Sequence, residues 1–176
     1  MKNNYFEDII HSIATIRTLL QNAYEKGFVI EGICLYTSII DGFLRLAIVY
    51  TRTQKTSDHT YTINKKIIRQ DEGEEAYLEK DIYNIALQEN VISDNLYNRL
   101  LKMYKFRNKA IHRFCISGIS YNQIAEKCTE FEIIYQEVFD IVAILEHGPH
   151  GIRNLSVKEE KLFRKKSMEK ILGKGE

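Results

Sequence analysis

The stretch from Phe28 to Arg52, FVIEGICLYTSIIDGFLRLAIVYTR, decides the fold of this chain. On a helix its polar residues fall within about one quarter of the circumference, and the remainder is apolar. A helix of that kind lies at the centre of a bundle or at a subunit interface. The polar residues are Glu31, Ser38, Asp41, Arg45 and Arg52.

Charged residues within this stretch predict two further features. Asp41 and Arg45 are four residues apart in the order that favours an ion pair along one helix. The alternative is that Asp41 orients a functional cation on another helix. Because Glu31, Asp41 and Arg45 interrupt the apolar run, we expect no transmembrane helix and no membrane partner.

Helical patterns flank the central stretch on both sides. Apolar residues at three- and four-residue steps predict a helix over about 4–26 before it, and helices over about 75–88, 93–114 and 120–148 after it. Residues 54–74 are irregular, with one short helical turn predicted around 63–68. The residues expected to cap helices or turn the chain are Asn4, Gly27, Asn90, Ser93, Gly118 and Ser120.

These patterns predict an all-α fold. We expect a bundle of four to five main helices over residues 1–150, followed by a charged C-terminal helical tail over residues 151–176. The composition agrees, since one Pro and nine Gly among 176 residues are few turn formers.

Composition also excludes several classes of function. The net charge of +1 provides no global basic field for nucleic acid. Cys34, Cys115 and Cys128 are widely spaced and form no CxxC or zinc pattern, so we expect no metal and no cofactor. The polar, acidic start is unlike a secretory signal, and we expect a cytoplasmic protein.

A local concentration of positive charge lies between Arg99 and Arg113. This stretch contains no acidic residue, whereas residues 71–81 are strongly acidic. One interpretation is a solvated helix face paired with that acidic segment. The other is a surface for a phosphate backbone. The basic residues are Arg99, Lys102, Lys105, Arg107, Lys109 and Arg113.

Arg107 differs from the other basic residues because it lies near the middle of the helix's apolar stripe. A buried guanidinium without a partner is costly, so Arg107 must meet a carboxylate, line a cleft or lie at an interface. On one helix Arg107 and His112 point about 140° apart. Two copies related by a twofold axis could bring both groups into one shared cleft.

The segment Arg107-Asn108-Lys109-Ala110-Ile111-His112 resembles the Arg-polar-x3-His motif of the HEPN superfamily. The resemblance implies a helical bundle that dimerises along the motif helix. It also implies a metal-independent endoribonuclease of toxin–antitoxin or phage-defence type, with an antitoxin or defence-system protein as a further partner. Arg107 and His112 would be the catalytic pair and Asn108 the motif's polar residue. Lys102, Lys105, Lys109 and Arg113 would position the RNA backbone.

Two other functions are compatible with this motif. The first is a non-catalytic HEPN module that binds RNA, a nucleotide or a protein partner. The second is a regulator resembling the mannitol repressor group, although no DNA-reading helix is evident. One departure bears on partners: Phe114 stands where a subgroup of HEPN toxins carries a Tyr that accepts a nucleotide. Silencing by nucleotidylation at that position is therefore not expected.

Overall fold

The computed structural model describes residues 5–55, 65–68, 75 and 77–147. This part of the chain is helical and contains no strand, which confirms the all-α prediction. Asn4, His59, His150 and the tail over 151–176 lie outside the described residues. The helices are α1 (Tyr5–Glu25), α2 (Val29–Gln54), α3 (Lys65–Ile68), α4 (Glu79–Gln88), α5 (Asp94–His112), α6 (Phe114–Ser117) and α7 (Tyr121–His147).

The central helix of the bundle is α2, which is one of the two locations predicted for it. It packs against α1, α3, α4, α5 and α7, and Ile33, Ile40 and Leu44 are completely buried. By length and hydropathy alone α2 could cross a membrane, but 67% of its most apolar part is buried inside the bundle. Packing against five neighbouring helices accounts for its apolar surface.

Local signals in the sequence correctly mark several helix ends. Gly27 and Asn90 adopt left-handed φ values of 68° and 60°. After Asn90, the Val91 N–H donates to the Ala86 carbonyl at 2.8 Å. Ser93 caps α5 by accepting the Leu96 N–H at 3.2 Å. At the start of α7, the Ser120 N–H donates to the Gln123 side chain at 2.9 Å.

Two predicted boundaries are wrong. The helix expected from residue 75 begins at Glu79, because the Asp81 carboxylate accepts the Leu78 N–H at 3.0 Å and caps the helix there. The helix expected to run to residue 114 ends at His112, because Arg113 has a φ of −132°. A separate turn, α6, follows and ends at Gly118, whose φ is 67°.

Candidate nucleic-acid site on α5

Arg107 meets a carboxylate, which is one of the three environments expected for it. Its Nη2 donates to the Glu79 carboxylate at the start of α4. The Tyr83 hydroxyl, one turn further along α4, donates to the same carboxylate. The side chains of Arg107 and Glu79 are 21% and 16% exposed. The pair therefore joins α5 to α4 just below the protein surface.

An aromatic ring on α5 contributes to the environment of Arg107. The Arg107 guanidinium carbon lies 5.2 Å from the centroid of the Tyr104 ring, and Lys80 Nζ lies 4.8 Å from the same centroid. Cations at these distances are attracted by the negative face of the ring. The Arg107 Nε is buried and has no hydrogen-bond partner in the described part of the chain. The guanidinium is thus held by one carboxylate and one ring rather than by a full set of acceptors.

Burial sets the electrostatics of this cluster. It raises the pKa of Glu79, while the hydrogen bond from Tyr83 and the charge of Arg107 act in the opposite direction and Asp41 adds to the rise. Burial and the neighbouring Glu79 also raise the pKa of Tyr83. The Tyr83 proton therefore stays on its oxygen, and the hydroxyl acts as a donor to Glu79.

Asp41 forms the ion pair predicted along α2, at 2.6 Å from Arg45. Arg45 also donates to the carbonyl oxygens of Ile67 and Tyr77. The ion pair therefore holds α3 and the residues just before α4 in place against α2. Asp41 influences Glu79 through its charge, and its ion-pair partner is the arginine of its own helix.

Asn108 and His112 take no part in the contacts of the Glu79 cluster that the described residues make. Asn108 is half-buried, and His112 is exposed as the last residue of α5. Neither side chain makes a hydrogen bond within the described residues. The structure thus brings Arg107 together with Glu79 and Tyr104, and does not bring it together with His112 in one chain.

Three of the four predicted RNA-contacting residues share the outer face of α5. Lys102, Lys105 and Lys109, which we call the lysine stripe, are all exposed, and none has an ion pair among the described residues. Their three- and four-residue spacing places them on one side of the helix. Arg113 is exposed directly beyond the helix end. In contrast, Arg99 donates to Glu137 of α7 and its charge is neutralised.

Two depressions between α5 and α7 lie beside the lysine stripe. One has a volume of about 280 Å³ and is lined by Lys102, and the other, of about 420 Å³, is lined by Lys109. Phe106 and the ion pair of Lys127 with Glu130 border both. The stripe is therefore next to a groove with an aromatic wall and mixed charge.

Sequence reasoning missed Glu79, Tyr83 and Tyr104. One signal pointed towards Glu79, since Arg107 needed a carboxylate and residues 71–81 are acidic. That signal did not distinguish Glu79 from its acidic neighbours. No group of three or more side chains able to hold a metal occurs among the residues the structure describes.

Comparisons of this chain with models of protein families, with curated proteins and with solved structures find no match. The functional assignment therefore depends on the residues of α5 and their surroundings.

Proposed function

We propose that this chain is a metal-independent endoribonuclease of the toxin–antitoxin or phage-defence type, acting as a homodimer. The observation that carries the proposal is the Arg107-Asn108-x3-His112 motif on a helix whose outer face is an exposed lysine stripe that has no ion pair with any residue the structure describes. The motif supplies the chemistry of phosphodiester cleavage. The stripe supplies the charge that holds a phosphate backbone.

The reaction is attack of an RNA 2′-OH on the adjacent phosphate. His112 takes the proton of the 2′-OH or gives one to the leaving 5′ oxygen, since an imidazole ring nitrogen can accept or donate a proton in general acid–base catalysis. Arg107 stabilises the negative charge that develops on the phosphorane. The products are a 2′,3′-cyclic phosphate and a 5′-OH.

Glu79 and Tyr104 position Arg107 in this proposal. Glu79 engages Nη2 and the Tyr104 ring contacts the guanidinium carbon. The Nη1 group donates no hydrogen bond among the described residues, and a fifth of the side chain is exposed (21%). One edge of the guanidinium therefore remains available to a phosphate oxygen.

A homodimer is part of the proposal because the two motif residues point in different directions. Arg107 contacts α4, whereas His112 is exposed at the end of α5. Five residues of helix separate them by about 140° and about 7.5 Å along the axis. A twofold axis close to α5 would place His112 of one copy next to Arg107 of the other.

The test is RNA cleavage in EDTA by the purified full chain. Wild type, Arg107→Ala and His112→Ala are incubated with total RNA, and fragments are separated on a denaturing gel and their end groups identified. We expect wild type to give fragments ending in cyclic phosphate, and each variant to lose at least about a hundredfold in rate.

Two matched variants control for nonspecific effects. Arg99→Ala removes an arginine of the same helix that is paired with Glu137, and His11→Ala removes an exposed histidine of α1. Both should cleave like wild type. An equal loss of cleavage rate in Arg99→Ala and Arg107→Ala would contradict the proposal. Unchanged cleavage by His112→Ala would also contradict it.

A non-catalytic RNA-binding module is the second candidate. The observation that favours it is the engagement of Arg107 by Glu79, which is also how a purely structural arginine is held. This function predicts RNA binding that depends on the lysine stripe, with intact RNA in every lane of the cleavage assay.

A further inference from the structure

A cavity of about 490 Å³ lies between α1, α2 and α7, away from the α5 motif. Its volume is in the usual range for small-molecule sites. Apolar side chains from all three helices line it, among them Ile13, Phe43, Leu46 and Val142. An apolar body therefore fits its interior.

One cation, Arg17 of α1, is held in a fixed orientation at this cavity. Its Nε and Nη2 both donate to the Tyr135 hydroxyl, at 3.0 and 2.8 Å. Its guanidinium carbon lies 5.0 Å from the centroid of the Phe139 ring. Phe139 in turn packs against Phe43, with ring centroids 5.5 Å apart. The aromatic wall of the cavity thus positions the charge.

Arg17 has no carboxylate partner among the described residues, and its Nη1 donates no hydrogen bond there. Glu146 is the acidic residue of the cavity lining, and its carboxylate lies 3.4 Å from Nε2 of His147, which also lines the cavity. Glu146 lies seven residues beyond Phe139 on α7, which is about 10 Å along the helix axis. The Arg17 end of the cavity is therefore positive and preorganised for an oxyanion.

We infer that this cavity binds an amphipathic monocarboxylate, with its carboxylate on Arg17 and its alkyl chain against Ile13, Leu46 and Val142. Charge complementarity favours this occupant over the chain's own C-terminal segment, in which basic residues outnumber acidic ones. A neutral apolar ligand would leave the guanidinium without its counter-charge.

The experiment is calorimetric titration of the full chain with decanoate and with decanol, which has the same chain length and no charge. We expect saturable binding of decanoate to wild type. Arg17→Gln should weaken decanoate binding by about tenfold to a hundredfold, because a charge-assisted hydrogen bond is lost. The same variant should change decanol binding by less than about twofold.

Two more variants separate a specific site from loss of folding. Lys26→Gln removes an exposed cation near the end of α1 and should leave decanoate binding unchanged. Ala14→Phe adds bulk at an exposed position of the cavity lining and should abolish binding while circular dichroism keeps its helical signal. Absence of saturable decanoate binding to wild type overturns the inference. Equal weakening of decanoate and decanol in Arg17→Gln, or unchanged decanoate binding in the folded Ala14→Phe variant, also overturns it.

Discussion

The carboxylate of Glu79, the first residue of α4, accepts a hydrogen bond from the guanidinium of Arg107 on the core-facing side of α5. This contact holds the charge of Arg107 on the side of α5 that faces α4. The lysine stripe lies on the opposite face of the helix. The contact also places a carboxylate in a site where burial disfavours its ionised form. The cluster is therefore sensitive to charge changes at either residue.

The raised pKa of Glu79 predicts a pH-dependent effect of Glu79→Gln on stability. Ionising Glu79 costs more in the folded chain than in the unfolded chain, so its contribution is most favourable at low pH and is lost as pH rises above the ordinary value of 4.5 through the raised pKa. Gln keeps an acceptor and carries no charge. The free energy of unfolding of Glu79→Gln relative to wild type should therefore increase with pH, by about 1.4 kcal/mol per unit of pKa difference. Urea unfolding between acid and neutral pH measures it.

Glu89→Gln is the matched control for that series. Glu89 lies just beyond the end of the same helix and pairs with Arg52 of α2 at 2.5 Å. Removing its charge should lower the free energy of unfolding by at most about 1 kcal/mol at neutral pH. If the two variants show the same pH dependence, burial of Glu79 is not the cause.

Removing the cation should move the pKa of Glu79 further from its ordinary value. Arg107→Met keeps an unbranched apolar side chain and deletes the charge that lowers this pKa. We expect Glu79 in that variant to titrate at a higher pH than in wild type, because burial and the charge of Asp41 are then opposed by the Tyr83 hydrogen bond alone. Titration of the side-chain carboxyl by NMR measures the shift. A downward shift would contradict the described geometry.

The lysine stripe should determine the salt dependence of RNA binding. Each lysine that neutralises a phosphate contributes about 0.7 to the slope of log Kd against log salt for single-stranded RNA. Replacing Lys102, Lys105 and Lys109 together by Gln should reduce the magnitude of that slope by about 2. Filter binding of a non-cleavable 2′-O-methyl RNA over a salt series measures it. Lys55→Gln, at the exposed end of α2, should leave the slope unchanged.

Features set by neighbouring residues were predictable from the sequence. Ser93 and Ser120 form their bonds within three residues, and the Val91 N–H reaches a carbonyl five residues back. The ion pair of Asp41 with Arg45 lies within one helix turn. In each case the local spacing alone determines which groups can meet.

Features set by tertiary contacts were not predictable. Arg107 and Glu79 are 28 residues apart. α4 begins later in the chain than predicted, and just before it the Tyr77 carbonyl accepts a hydrogen bond from Arg45, 32 residues away. The contact of Lys80 with the Tyr104 ring depends on how α4 packs against α5. Helical periodicity fixes which face of a helix is buried and leaves open which residue of the neighbouring helix lies opposite.

Two glycines should respond in opposite ways to substitution by alanine. Gly32 is inside α2, and a Cβ there would meet only Cys128 Sγ at 4.0 Å. Gly32→Ala should raise the free energy of unfolding by about 0.5–1 kcal/mol through helix propensity. Gly27 has a φ of 68°, and a Cβ there would meet nothing within 4 Å. Gly27→Ala should lower the free energy by about 1 kcal/mol from backbone strain alone. Thermal or urea unfolding compares them, and effects of the same sign would contradict this prediction.

Mixing two inactive variants should restore cleavage if the proposed site is shared between copies. In a mixed dimer of Arg107→Ala with His112→Ala, one of the two sites combines the intact Arg107 of one copy with the intact His112 of the other. Random exchange of subunits makes half of the dimers mixed, so the mixture should regain about a quarter of the wild-type rate. The measurement is RNA cleavage after co-refolding equal amounts of the two variants, with each variant refolded alone as the control. If both residues acted within one copy, the mixture would remain as inactive as its components, and the orientation of Arg107 towards α4 would have to change during the reaction.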